Sequence, residues 1–199
     1  MKKSERTRQH IIACASDLFN VQGYSATSMS DIMSATGLQK GGIYNHFDSK
    51  DEIALAAFDH SVKRMARLFA EEMTRAGDDA PAQLQGVLNM YVRLAEDSPI
   101  PGGCPIMNSA VENDDYAVPG MKERTQLAMR RWQRLIKRIV RDGIAQGTFR
   151  DDVDDDLLAT VVISNVEGAL LMSRLYDDIT YIKRIIQFLN DYIEMKVLA

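Results

Sequence analysis

The sequence predicts an all-α chain of about nine helices, and three observations carry that prediction. Apolar residues recur three and four positions apart through nearly the whole length, the spacing of one helical face. No stretch shows the apolar–polar alternation of a half-buried strand. Glycine and proline gather at a few places that separate the periodic runs from one another.

Helix one covers about residues 5–22, with Ile11, Ile12, Ala15, Leu18 and Phe19 at helical spacing, and Gly23 stops it. Residues 27–47 then read as two short helices joined by a tight turn. Ser28 can cap the first, with Asp31 three residues on in capping-box spacing. Ile32 and Met33 point inward. Gly37 supplies the turn, because a left-handed residue ends one helix and releases the next. The second helix starts near Gln39 and carries Ile43 and Phe47 four apart on a buried face. Ser49 opens helix four, with Glu52 placed to complete a second capping box, and Ile53, Ala57, Met65 and Phe69 continue its apolar face to about residue 76.

Gly77-Asp78-Asp79 ends helix four, and Pro81 suits the first turn of helix five. Leu84, Leu88, Tyr91 and Ala95 form the inward stripe of that helix. Ser98 to Gly103 is a break, helix six spans about 105–112, and Asn113-Asp-Asp115 and Pro119-Gly120 break the chain again. Helix seven, about 120–146, carries Ala128, Trp132, Leu135, Ile139 and Val140, and Gly147 terminates it. Helices eight and nine span about 153–175 and 180–196. The expected organisation is an N-terminal three-helix domain, residues 1–48, and a larger helical domain, residues 49–199.

Composition excludes several classes. Helix eight is the most apolar stretch, but Asn165 and Glu167 interrupt it, and a bilayer span needs ~20 apolar residues. The N-terminus lacks the apolar run of a secretion signal. Cys14 and Cys104 form no CxxC, and the three histidines are scattered, so a structural metal is not expected and a reducing cytoplasm is. No phosphate-cradling glycine loop, HExxH or nucleophile elbow is present, so neither an enzyme nor a cofactor is expected. Residues 1–50 hold six Lys/Arg against four Asp/Glu, and the remaining 149 hold eighteen against twenty-four. Lys2, Lys3, Arg6 and Arg8 crowd one end of an acidic body, which fits contact with a polyanion by that end only. A charged, solvated tail would look the same.

The segment 27–47 has the layout of a helix-turn-helix with a recognition helix. Tyr44, His46 and Lys50 are the candidate phosphate contacts, with Thr27 and Ser28 adding hydroxyl and amide donors at a helix N-terminus. Gln39, Lys40 and Asn45 suit base edges, since Gln and Asn pair with adenine and Lys with guanine. Gly41 and Gly42 each cost ~1 kcal/mol of helix propensity against alanine, and a close backbone approach to DNA is a plausible return. The bland alternative is a helical hairpin on a bundle, in a protein-interaction module that never touches DNA.

The run Lys40-Gly41-Gly42-Ile43-Tyr44-Asn45-His46-Phe47, followed by Ser49-Lys50-Asp51-Glu52, resembles the DNA-binding segment of the TetR family of bacterial transcriptional regulators. The resemblance spans roughly residues 5–60. Gly42 departs from the hydroxyl or alanine more usual there. The resemblance implies a repressor that binds double-stranded operator DNA as a homodimer and is released by a small molecule.

Helix eight is apolar on most of its circumference, so it must be covered on two sides. One reading is a central core helix. The other, implied by the resemblance, is a four-helix dimer interface of helices eight and nine, with Leu170, Ile182, Ile186, Leu189 and Ile193 in it and the small Ala159, Ser164 and Gly168 permitting close approach. The resemblance also implies an effector cavity among helices five to eight, for which Met90, Tyr91, Leu94, Cys104, Met107, Met129, Trp132, Glu167 and Met172 are the candidate lining. Core packing is the alternative for each. Glu167 could meet a polar or cationic group of a ligand, or be a satisfied interface acid. Cys104, between Gly102-Gly103 and Pro105, falls at a helix N-cap, where a thiolate is favoured. Some regulators of the resembled family carry a Gly-Cys there and respond to electrophiles or oxidants. Plain packing is the other reading.

Overall fold

The computed structural model describes residues 3–97, 99–115 and 118–199, and nine helices lie among them. In chain order they are α1 Lys3–Gln22, α2 Met29–Thr36, α3 Lys40–Tyr44, α4 Lys50–Ala76, α5 Ala80–Glu96, α6 Pro105–Asp115, α7 Met121–Ala145, α8 Asp155–Leu175 and α9 Thr180–Lys196. The one β feature among the described residues is a single antiparallel bridge, Phe149 with Leu198. Lys2 and Ser98 lie outside the described residues.

The helix ends follow local chemistry. Ser28 accepts from the Asp31 N–H, and the Asp31 carboxylate accepts the Ser28 N–H at 2.7 Å, so the capping box is complete. Gly37 then sits at φ 69°, in the left-handed region. Asp79 and Asp154 cap α5 and α8 by accepting from Ala82 and Leu157 N–H groups. Three expectations change. Ser49 accepts the Glu52 N–H at 3.1 Å, but Glu52 takes the Asp48 N–H instead of that of Ser49. α3 ends at Tyr44, so Phe47 lies beyond it and is nonetheless 2% exposed. α6 runs on through Asp115 where Asn113-Asp-Asp115 was expected to break it. Asp and Asn are poor helix formers by only a few tenths of a kcal/mol, too little to end a helix alone.

By contacts the chain divides into two units that interleave in sequence. The first comprises the chain up to Met65 with Ile100–Ala128, the second Ala66–Pro99 with Met129–Ala199. In the first, Ile11, Ile12 and Ala15 of α1, Ile32 of α2, Ile43 of α3, Phe47, and Ile53 and Ala57 of α4 form one buried cluster. Asn20 pins the turn before α6, donating to the carbonyls of Pro101 and Gly103 at 2.6 and 2.9 Å. In the second unit α5 packs on α8 and α9, which also pack on each other. α8 is the one helix among the described residues long and apolar enough to cross a membrane, and Val162, Val166 and Leu170 bury one side of it in this core. The C-terminus is tied back, with the Arg150 N–H donating to Val197 O at 2.9 Å and the Ala199 N–H to Thr148 O at 3.1 Å.

Candidate nucleic-acid interface and effector site

The helix-turn-helix is built outward from its buried face. Ile32, Ile43 and Phe47 hold α2 and α3 against α1 and α4. What remains open is the opposite side: Gln39, Lys40, Gly41, Tyr44 and Asn45 are exposed together, and His46 is half-buried beside them. The Lys40 ammonium stands 5.7 Å from the Tyr44 ring centroid, so the two long side chains support each other at the surface. Neither Gly41 nor Gly42 is needed to relieve a clash of the fold itself. A Cβ on Gly41 would meet nothing within 4 Å, and one on Gly42 only Leu38 at ordinary contact distance.

Three expected contacts are placed differently. Thr27 is fully buried and its hydroxyl donates to Gly23 O at 2.7 Å, so its side chain closes the end of α1 rather than facing a ligand. Ser28 is exposed, but its backbone N–H is already given to Asp31. The Asp31 carboxyl is held below its ordinary range by the Ser28 hydroxyl first and the Ser28 amide second. Lys50 is half-buried: its Nζ donates to Tyr24 O at 2.6 Å and lies 4.0 Å over the Tyr24 ring. Partial burial lowers the Lys50 pKa, against the opposing pull of Glu112, Asp51 and Asp31.

Sequence reading missed this Tyr24 cluster. The Tyr24 hydroxyl donates to Asp51, its ring stacks on Phe19 at 5.9 Å, and burial first and the Asp51 hydrogen bond second push its pKa up to about 12. Tyr24 and Lys50 are 26 residues apart, and no local pattern links them. Arg8 joins the same unit by lying over the Phe47 ring, 4.7 Å from its centroid.

The candidate effector residues separate. Tyr91 and Trp132 stack at 5.2 Å with 11° between planes, and Phe69, absent from the expected set, tilts against them at 6.3 and 5.8 Å. The Tyr91 hydroxyl donates to Glu167 Oε1 at 3.1 Å. Met90 and Leu94 are buried on the same helix as Tyr91, and Met129 is half-buried. The Trp132 indole N–H is buried and finds no acceptor among the described residues. Cys104 and the half-buried Met107 belong to the first unit, and Met172 is exposed. Cys104 takes the N-cap place, its carbonyl accepting the Asn108 N–H, but its side chain is fully buried. The glycines beside it do not leave it open.

The expected dimer residues also sort. Leu170, Ile182 and Leu189 are wholly buried within the second unit and Ile186 nearly so, and Ala159 is buried too. They hold α8 to the core of their own chain. Ile193 is half-buried. The apolar residues left open on α8 are Leu157, Leu171, Met172 and Leu175, and on α9 Phe188 and Met195. Leu157, Ser164, Gly168, Leu171 and Leu175 fall seven, four, three and four residues apart, the rhythm of a single helix–helix seam. A Cβ on Gly168 would meet nothing within 4 Å.

Comparison with known proteins agrees with the all-α fold and its helix-turn-helix. Residues 11–57 match the family of bacterial regulatory proteins, tetR family, and residues 80–189 match the tetracyclin repressor-like C-terminal domain. A TetR transcriptional regulator from Chloroflexus aurantiacus superposes with a TM-score of 0.94 at 41% identity, covering all of both chains. A TetR-family regulator from Cytophaga hutchinsonii gives 0.90 at 31%, covering all of this chain and 98% of that one. The transcriptional repressor DhaR of a Mycobacterium species is 25% identical over 84% of this chain and 82% of its own. Members of this family are DNA-binding transcription regulators and not enzymes. The chain belongs to the TetR family of transcriptional regulators.

Proposed function

We propose that this protein is a cytoplasmic repressor that binds a palindromic operator as a homodimer and leaves it when a small molecule binds. The DNA-binding domain is residues 1–48 and the remainder, 49–199, receives the effector and the second subunit. One observation carries the reading: Gln39, Lys40, Gly41, Tyr44 and Asn45 stand exposed on one short helix whose other side is anchored by Ile43. Gln39, Lys40 and Asn45 read base edges, and Tyr44 with His46 meets phosphates. Lys50 reaches a phosphate only by leaving Tyr24.

Dimerisation uses the open stripes of α8 and α9, and a palindromic operator takes the two recognition helices about one DNA turn apart, ~34–36 Å. The effector meets the second unit at Tyr91, Trp132 and Glu167. By linkage, a ligand that weakens DNA binding is itself held more weakly by the DNA complex.

Selection from random duplexes, followed by titrations across salt, tests the reading. Tyr44→Ala should weaken all sequences alike. Lys40→Ala should relax base preference at one position and cost ~1–3 kcal/mol on the preferred base. Failure to enrich any sequence, with unchanged affinity in both variants, would leave the helix-turn-helix as a packing element of an interaction module.

A further inference from the structure

The first unit holds a cleft of about 330 Å³ lined by none of the recognition-helix or effector residues named above. Three helices wall it: Arg8 comes from α1, Glu52, Asp59 and Lys63 from α4, and Arg124 from α7. Ile12, buried, and Leu55 and Ala56, half-buried, give it an apolar floor. Its volume is at the lower end of the range for small-molecule sites, ~300–1,000 Å³.

The charges in the cleft do not cancel. Asp59 is committed to Arg124, which it meets in an ion pair. Glu52 is committed to the Asp48 N–H at 2.8 Å. Arg8 and Lys63 have no carboxylate partner among the described residues; Arg8 has only the Phe47 ring. Two cations on different walls above a short apolar floor fit a compact organic molecule with anionic groups at its ends. An Arg fork receives a carboxylate or a phosphate bidentately, and a Lys head adds a point charge.

We infer that this cleft binds a small organic anion, carboxylate or phosphate at its charged ends, held between Arg8 and Lys63 with Arg124 beside them. The site is separate from the effector residues of the second unit. It shares Arg8 with the anchor of the helix-turn-helix, since the guanidinium covers Phe47. An anion there ties α1 to α4 and α7 and stabilises the unit that carries α3.

Calorimetry on the full chain at constant ionic strength tests this with succinate, propane-1,3-diyl bisphosphate and inorganic phosphate as probes and NaCl as the blank. Succinate or the bisphosphate should bind saturably at one site per chain, and more tightly than inorganic phosphate, which has no apolar chain and cannot reach both cations. Which of the two binds identifies the anionic group. Lys63→Gln should weaken that binding about tenfold, as for loss of a charged hydrogen bond. Lys63 is exposed, so this variant keeps the fold. Arg138→Gln, an exposed cation outside the cleft, should leave the affinity unchanged. No saturable heat with any probe, or equal losses in Lys63→Gln and Arg138→Gln, would overturn the inference. So would a Lys63→Gln protein that binds the anions normally but has lost affinity for every DNA sequence, since the cleft would then be a backbone contact.

Discussion

Charging the open seam of α8 and α9 should separate the subunits without unfolding them, and the size of the effect follows from exposure. Leu171 and Phe188 are 55% and 53% exposed in the single chain. Full burial of a Leu or Phe side chain stabilises by about 1.5–3 kcal/mol. Roughly half of each side chain is still open, so covering it contributes about 0.8–1.5 kcal/mol. In a two-fold interface each residue counts twice, giving about 1.5–3 kcal/mol per dimer. Leu171→Glu or Phe188→Glu forfeits at least that, which weakens association by roughly ten- to a hundred-and-fifty-fold. The burial penalty of the new carboxylate adds to it. Sedimentation equilibrium over nanomolar to micromolar concentrations reads the change, and circular dichroism should show undiminished helix. Leu170→Glu is the control with the opposite outcome. That side chain is fully buried in its own chain, so a charge there should unfold the second unit. If Leu171→Glu and Phe188→Glu associate as tightly as wild type, the seam is not the subunit interface.

Three further outcomes are expected. Gly102→Ala should destabilise the first unit by more than ~2 kcal/mol in urea titration, because φ is +84° and the new Cβ would lie 2.1 Å from Asn20 O, a backbone atom; a loss under ~0.5 kcal/mol would contradict this geometry. Tyr24 should ionise late, at about pH 12 against an ordinary value of 10. Its folded-state pKa is raised, so its contribution is complete below pH 10 and is lost as pH climbs toward 12; Tyr24→Phe should remove that late step from the phenolate absorbance titration, and loss of an early step instead would refute the assignment. A disulfide reagent should label half-buried Cys14 first and slowly, since burial first and Asp17 second raise its pKa, and reach buried Cys104 only on unfolding. Release of operator DNA on labelling of Cys104 in the folded protein would restore the sensor reading.

Local chain chemistry is enough to specify the helices and the helix-turn-helix. Ser28 and Asp31 are three residues apart, and Gly37 needs only its own backbone to turn left-handed, so their roles are written within one turn of chain. Periodicity likewise assigned Ile43 and Phe47 inward and left Gln39, Lys40, Tyr44 and Asn45 open. Tertiary structure decided what depends on distant partners. Lys50 reads as a free cation until Tyr24 supplies a carbonyl and a ring for it, and Thr27 reads as a surface hydroxyl until Gly23 accepts it inside. Cys104 looks open beside two glycines and is closed by the packing around it. The sharpest case is α8. A helix apolar on nearly every side has no preferred face in its own sequence, because a period of 3.6 residues selects a direction only where polarity varies around the axis. Leu170 and Leu171 are neighbours of the same chemistry. Only the positions of α5 and α9 put the first in the core and leave the second for a partner.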